Sequence, residues 1–122
     1  MRWLNHRHVP VAGTLLCDCD SVPQAQCTEL RYGEGDGAFT MFLYRQGEEI
    51  KAYYNNCPHF SLPLNAKPGE FLMLAGGQVM CAYHCAIFRL ADGHCIDGPA
   101  EGMGLDPIPI EIRGGHIYMG SR

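Results

Sequence analysis

At 122 residues the chain reads as one domain, and its 47% hydrophobic content can furnish a core, while 15 glycines and 8 prolines exclude long helices. A net charge of −4 speaks against sequence-independent nucleic-acid binding, which needs a basic surface, so no nucleic-acid partner is expected. Seven cysteines, odd in number and unevenly spaced, suit metal binding in a reducing compartment better than a closed disulfide scaffold, which points to the cytoplasm.

The first 17 residues, "MRWLNHRHVPVAGTLLC", place basic residues before a mildly apolar run, as a signal peptide does. The run is short and broken by Pro10 and Gly13, and Leu15 and Leu16 are too large for a usual lipoprotein cleavage site before Cys17. Residues 1–14 therefore read as an extension of a soluble chain. No segment approaches the ~20 apolar residues of a membrane helix, so no membrane partner is expected. Pro23 to Leu30 carries a weak helical pattern, which the surrounding composition argues against. "GEGDG" at Gly33 to Gly37 is a turn, and "AFTMFLYRQGEEIKAYYNN" after it alternates, turns at Gln46-Gly47 and resumes through Ile50 to Tyr54, a hairpin signal. Residues 57 to about 105 read as irregular. Beyond them Ile108, Ile110 and Ile112 alternate, Gly114-Gly115 turns the chain, and Ile117 and Met119 return. A Gly-Gly turn between alternating strands marks a second hairpin. Pro107 and Pro109 cannot donate to a ladder, which puts this strand at a sheet edge. The chain is expected to be an all-β framework carrying a loop-rich insertion.

The chemistry concentrates in that insertion. "CPH" places Cys57 and His59 one residue apart, and "CAYH" places Cys81 and His84 two residues apart, with 21 residues between the pairs. Each spacing lets a thiolate and an imidazole of one loop converge on a single metal region. Two such loops supply four ligands, enough for one tetrahedral zinc or for a [2Fe–2S] cluster with mixed cysteine and histidine ligation. A nucleic-acid-reading zinc finger would carry its histidines on a helix, and no basic helix is in sight.

With one short Cys-x-His loop and one Cys-x-x-His loop, the sequence resembles the Rieske iron–sulfur family, and in particular small Rieske-type ferredoxins. "CPHFSLPLN" is similar to that family's first cluster-binding loop, "CAYHCAIFRLADGHCIDGP" to the second loop running into a hairpin, and "DGPAEG" (Asp97 to Gly102) to the proline-bearing third loop that covers the cluster. "LDPIPI" resembles the strand returning to the framework. The resemblance spans roughly residues 15 to 120. It implies an antiparallel β sandwich or barrel with a cluster-binding subdomain over about 57–105. It also implies one [2Fe–2S] cluster, with Cys57 and Cys81 on one iron and His59 and His84 on the outer one. The implied function is a one-electron carrier, without catalytic activity of its own, shuttling between a reductase and an oxygenase. A catalytic oxygenase would need a mononuclear iron in a further large domain, for which this sequence has no room after residue 122. The alternative from another class is a structural zinc or redox-sensing module.

Charge favours the carrier. Two thiolates neutralise an oxidised [2Fe–2S] core, whereas an all-cysteine site would be more negative, so histidine ligation makes reduction easier. The potential is expected to couple to pH through the imidazoles. The chain departs from the family at Cys85, where glycine usually follows the second ligand histidine. Such a glycine suggests a tight backbone, and cysteine is expected to fit there if the geometry relaxes or φ stays negative. High-potential relatives place serine and tyrosine donors shortly after that histidine, and the matching positions here are Ala86 and Phe88. Their side chains cannot donate, which implies a low-potential centre. Phe60, Leu62, Pro63 and Tyr83 suit either an apolar collar where a partner docks or packing between the two loops. Cys17, Cys19, Cys27 and Cys95 read as buried small hydrophobes, and His6, His8, His94 and His116 have no partner spacing.

Overall fold

The glycine- and proline-rich sequence breaks into short strands that pair locally. The computed structural model describes residues 2–58 and 62–121. Its strands are β1 (Leu15–Asp18), β2 (Cys27–Tyr32), β3 (Phe39–Gln46), β4 (Glu49–Tyr54), β5 (Leu72–Leu74), β6 (Gln78–Met80), β7 (Ile87–Arg89), β8 (Cys95–Asp97), β9 (Ile110–Arg113) and β10 (His116–Met119). They form three antiparallel sheets, in the orders β1-β10-β9, β2-β3-β4 and β5-β6-β7-β8. The architecture is all-β, as the sequence implies. No helix is long and apolar enough to cross a membrane.

Both expected hairpins are present. In the second, Arg113 pairs with His116 across Gly114 (φ 56°) and Gly115 (φ 81°), the positive dihedrals a two-residue turn of the primed type requires. β9 lies at the edge of its sheet, where Pro107 and Pro109 lead into it without removing a ladder donor. In the first hairpin Gln46 still pairs with Glu49, so the turn is Gly47-Glu48, one residue later than Gln46-Gly47. Gly47 has φ 65° and supplies the positive φ that the first turn position demands.

As the sequence reading has it, the stretch from Pro23 to Leu30 holds no α-helix; its second half enters β2, whose residues pair with β3 from Cys27↔Tyr44 to Tyr32↔Phe39. One region differs from the sequence reading. The span from 57 to 105 is not irregular throughout, because it contains the sheet β5-β6-β7-β8. Each of those strands is three residues long, too short for period-two alternation to stand out.

β3 explains how the layers join. Six successive residues, Phe39 to Tyr44, are buried, as expected for a strand covered on both faces. Phe39, Met41 and Leu43 face a core shared with Trp3, Val22, Ile108, Ile117 and Met119. Phe42 and Tyr44 face a second core, shared with Val79, Phe88 and Cys95 of the sheet β5-β6-β7-β8 and with Leu90 just beyond β7. The sheet β2-β3-β4 is thus the common wall of two hydrophobic cores. Tyr53 of β4 adds a polar tie across the second core, its hydroxyl donating to the Leu90 carbonyl at 2.7 Å.

Candidate metal centre

The first loop leaves the end of β4. Asn55 N–H donates to the Thr40 carbonyl at 3.0 Å, carrying the ladder one step beyond Tyr54 before the chain turns away. Cys57 follows at once, and its N–H donates to the Leu62 carbonyl at 2.6 Å, closing the loop on itself. The second loop leaves β6. Cys81 N–H donates to the Ala86 carbonyl at 2.7 Å and Cys85 N–H donates back to the Cys81 carbonyl at 3.0 Å, winding residues 81–86 into one tight turn. The loops are joined directly, Ala82 N–H donating to the Leu64 carbonyl at 2.8 Å.

These closures bring Cys57 and Cys81 together. Both are fully buried in the core beneath the loops, both are free of disulfides, and their side chains hydrogen-bond to each other. Burial pushes the Cys81 thiol up, the neighbouring Cys57 adds to that, and the backbone N–H groups of Tyr83 and His84, directed at its sulfur, oppose it. Sulfur in an apolar enclosure with backbone donors aimed at it suits a thiolate neutralised by a metal. His84 sits on the same turn as Cys81, partly exposed, with Nδ1 shielded from solvent. His59 and Phe60 lie outside the described residues. Among the described residues no group of three or more His, Cys, Asp or Glu side chains is gathered as for a metal ion. The two thiols of the expected set meet; its fourth member is not described.

The third loop closes over the second. Gly98 has φ 95°, and a Cβ there would lie 2.8 Å from Ala86 Cα and 3.1 Å from the Cys85 carbonyl oxygen, so only glycine lets the loops approach this closely. Ala100 is buried in the same core as Cys57 and Cys81, whereas Pro99 faces solvent.

Cys85 stands where the resemblance expects glycine, and its backbone is left-handed. It is exposed, and its φ is 59°, shared among non-glycine described residues only with Ala25. The backbone neither relaxes nor turns to negative φ, contrary to the sequence expectation: the closures at both ends of 81–86, together with Gly98 against Ala86, hold the turn in place. Ala86 and Phe88, the positions lacking side-chain donors, are both fully buried. Leu62, Pro63 and Tyr83 are exposed beside the two loops, Leu62 at 39% and Tyr83 at 48%. Cys27 and Cys95 are buried and Cys17 and Cys19 half-buried, with burial pushing the Cys27 thiol up to about 12, as for an inert core thiol. His116 contacts Asp18 at 2.5 Å and His6 packs edge-on against Phe39, both far from the paired thiols in the fold.

One functional element went unrecognised in the sequence. Buried Asn55 and Asn65 bracket the first loop, with Asn55 Nδ2 donating to Asn65 Oδ1 at 2.8 Å and Leu64 N–H donating to Asn55 Oδ1 at 3.0 Å. Asn65 Nδ2 in turn donates to Glu29 of β2 at 3.0 Å and to the Lys67 carbonyl at 2.9 Å. The network pins both ends of the loop to the central sheet. Asparagine flanking a ligand loop at 55–56 and again at 65 was the available signal.

The comparisons with known proteins agree with this layout. The Rieske [2Fe-2S] domain family matches residues 13–109. The chain shares its fold with the ferredoxin of carbazole 1,9a-dioxygenase from Nocardioides aromaticivorans IC177 (19% identity, TM-score 0.65, covering 93% of this chain and 99% of that one). The Sphingomonas yanoikuyae B1 ferredoxin gives 18% identity and a TM-score of 0.67, over 90% and 99% of the two chains. The terminal oxygenase of carbazole 1,9a-dioxygenase from Nocardioides aromaticivorans IC177 gives 20% identity and a TM-score of 0.71, over 94% of this chain but 31% of that one. Among curated proteins no significant relative matches.

Proposed function

This chain belongs to the Rieske [2Fe–2S] domain family, and from that premise we propose that it is a one-electron carrier whose cluster is held by Cys57, His59, Cys81 and His84. The observation that carries the reading is the meeting of two buried, disulfide-free thiols from separate loops, with the backbone N–H groups of Tyr83 and His84 directed at one of them. The donor set fits the family's cofactor. Cys57 and Cys81 would supply thiolates to one iron, and His59 and His84 would supply imidazoles to the other. When bound, the cluster supplies reversible one-electron chemistry.

The residues around it bind, shield and orient. Ala86, Phe88 and Ala100 exclude water from the sulfur side, and none of them offers a side-chain donor. Without such donors the added negative charge of the reduced form is poorly stabilised, which supports a low potential. Leu62, Pro63 and Tyr83 form an exposed apolar rim next to the histidine-bearing turns and serve as the docking face for redox partners. The partner classes are a reductase that loads the electron and an oxygenase that accepts it. The fold shared with the ferredoxin and the terminal oxygenase of carbazole 1,9a-dioxygenase supports this pairing. Seven free cysteines support a cytoplasmic setting.

The test is metal and sulfide analysis of anaerobically purified protein, with EPR after reduction. Two irons and two acid-labile sulfides per chain, with a signal of mixed Cys/His ligation, are expected. Stoichiometric zinc without labile sulfide would overturn the reading.

A further inference from the structure

The residues before the family-matched region are not an idle tail. Trp3 is 2% exposed, packs into the core behind β3 and donates from Nε1 to the Pro107 carbonyl at 3.1 Å. His6 lies edge-on against Phe39, with ring centroids 5.2 Å apart. Anchored in this way, the segment delivers Arg2 to one place. Its Nε pairs with Asp106 Oδ2 at 2.9 Å, its Nη1 donates to Asn56 Oδ1, and its Nη2 lies 3.3 Å from the Asn56 carbonyl oxygen. The guanidinium also lies over the Tyr54 ring, 5.8 Å from its centroid.

Asn56 immediately precedes Cys57, and Asp106 follows the third loop. One side chain from residue 2 therefore ties the base of the first ligand loop to the segment that leads from the third loop to β9. A guanidinium suits this task, because its rigid fork donates to a carboxylate and an amide together, which an ammonium cannot do in the same geometry.

We propose that Arg2 is a positioning residue for the cluster, acting through Asn56 on the loop that carries Cys57. The inference rests on the ligand reading above. It assigns a role to residues outside the region matched by the family, 13–109. Arg2 and Asp106 are both only partly shielded, with side-chain exposures of 36% and 21%. Their pairing is consequently a modest effect on global stability, and its consequence is felt at the loop.

The test compares wild type with Arg2→Gln, Arg2→Lys, Asp106→Asn, Asn56→Ala and the double variant Arg2→Gln/Asn56→Ala. Iron release to an external chelator is followed by the loss of visible absorbance, and the reduction potential by protein-film voltammetry. Arg2→Gln is expected to speed iron release about two- to fivefold, with Arg2→Lys only partly restoring the wild-type rate. In the Asn56→Ala background the added Arg2→Gln change is expected to speed iron release by less than it does in wild type, because the contact to Asn56 Oδ1 is already gone while those to Asp106 and the Asn56 carbonyl remain. The potential is expected to fall in Arg2→Gln, which removes a cation near the loop, and to rise in Asp106→Asn, which removes an anion. A strap with no bearing on the cluster would leave the potential unmoved in both. Equal iron release and equal potentials in wild type and Arg2→Gln would overturn the proposal, as would an undiminished effect of Arg2→Gln in the Asn56→Ala background. A wild-type protein without the iron, sulfide and EPR signature would instead overturn the ligand reading, and this inference with it.

Discussion

Replacing Cys85 with glycine tests the most unusual backbone position of the site. At φ 59° an L-residue brings its Cβ close to a carbonyl oxygen, at a cost of about 1–2 kcal/mol that glycine does not carry. Glycine also adds freedom to the unfolded chain, which takes back about 0.4–1 kcal/mol. The thiol is exposed, so its removal loses little packing. The balance is a stabilisation of about 0.5–1 kcal/mol by Cys85→Gly, whereas Cys85→Ala keeps the strained φ and stays within about 0.5 kcal/mol of wild type. Urea unfolding followed by the fluorescence of Trp3, the single tryptophan, at matched iron content measures the difference. Ala25 has the same φ of 59° and is away from the paired thiols, so Ala25→Gly calibrates the gain without touching the site. Cys85→Gly no more stable than Cys85→Ala, alongside a stabilised Ala25→Gly, would refute the strain argument. Loss of iron from both Cys85→Gly and Cys85→Ser would show the sulfur to be a ligand.

Asn55→Ala should destabilise the protein by about 2–4 kcal/mol, because it strips buried Leu64 N–H and Asn65 Oδ1 of their partners; urea unfolding checks it, and a loss below 1 kcal/mol would mean that the network is dispensable. Ala86→Ser combined with Phe88→Tyr should raise the reduction potential, as buried hydroxyl donors stabilise the reduced form; voltammetry at fixed pH showing no rise would place these side chains away from the cluster. His84→Ala should bleach the visible absorbance, while His94→Ala, exposed on the turn before β8, should keep it; the opposite pattern would require a different ligand set.

The hairpins were legible because Ile108, Ile110 and Ile112 on one side of Gly114-Gly115, and Ile117 and Met119 on the other, carry both alternation and turn chemistry. The paired thiols were legible because Cys57 and Cys81 stand out by type and spacing. The four-stranded cluster-side sheet was not, since three-residue strands such as "LML" and "QVM" present no period to read. β2 was obscured by a polar and charged sequence, "CTELRY", half-buried along most of its length. The Asn55–Asn65–Glu29 network joins residues 36 positions apart at its longest step, which only tertiary structure brings together. At Cys85 the sequence showed the departure from glycine but not its resolution. Whether the turn or the residue yields depends on the closures at both of its ends and on Gly98 pressing against Ala86.

That resolution follows from how the site is mounted. Cys57 lies three residues beyond Tyr54, at the end of a strand paired to β3 along its whole length, and β3 is buried on both faces. Displacing the first loop therefore means disturbing a sheet that walls two cores, and displacing the second means breaking the Ala82–Leu64 tie to the first. The third loop is held by Gly98 against the second and by Ala100 inside the same core. The second loop is thus held by both of the others, and the first is anchored to a sheet buried on both faces at β3. A carrier gains from such stiffness, because groups fixed in advance need no rearrangement when the charge beside them changes by one electron. The same stiffness explains why the backbone at Cys85 holds its left-handed turn: a strain of one or two kcal/mol is smaller than the cost of moving any of the three loops that enforce it.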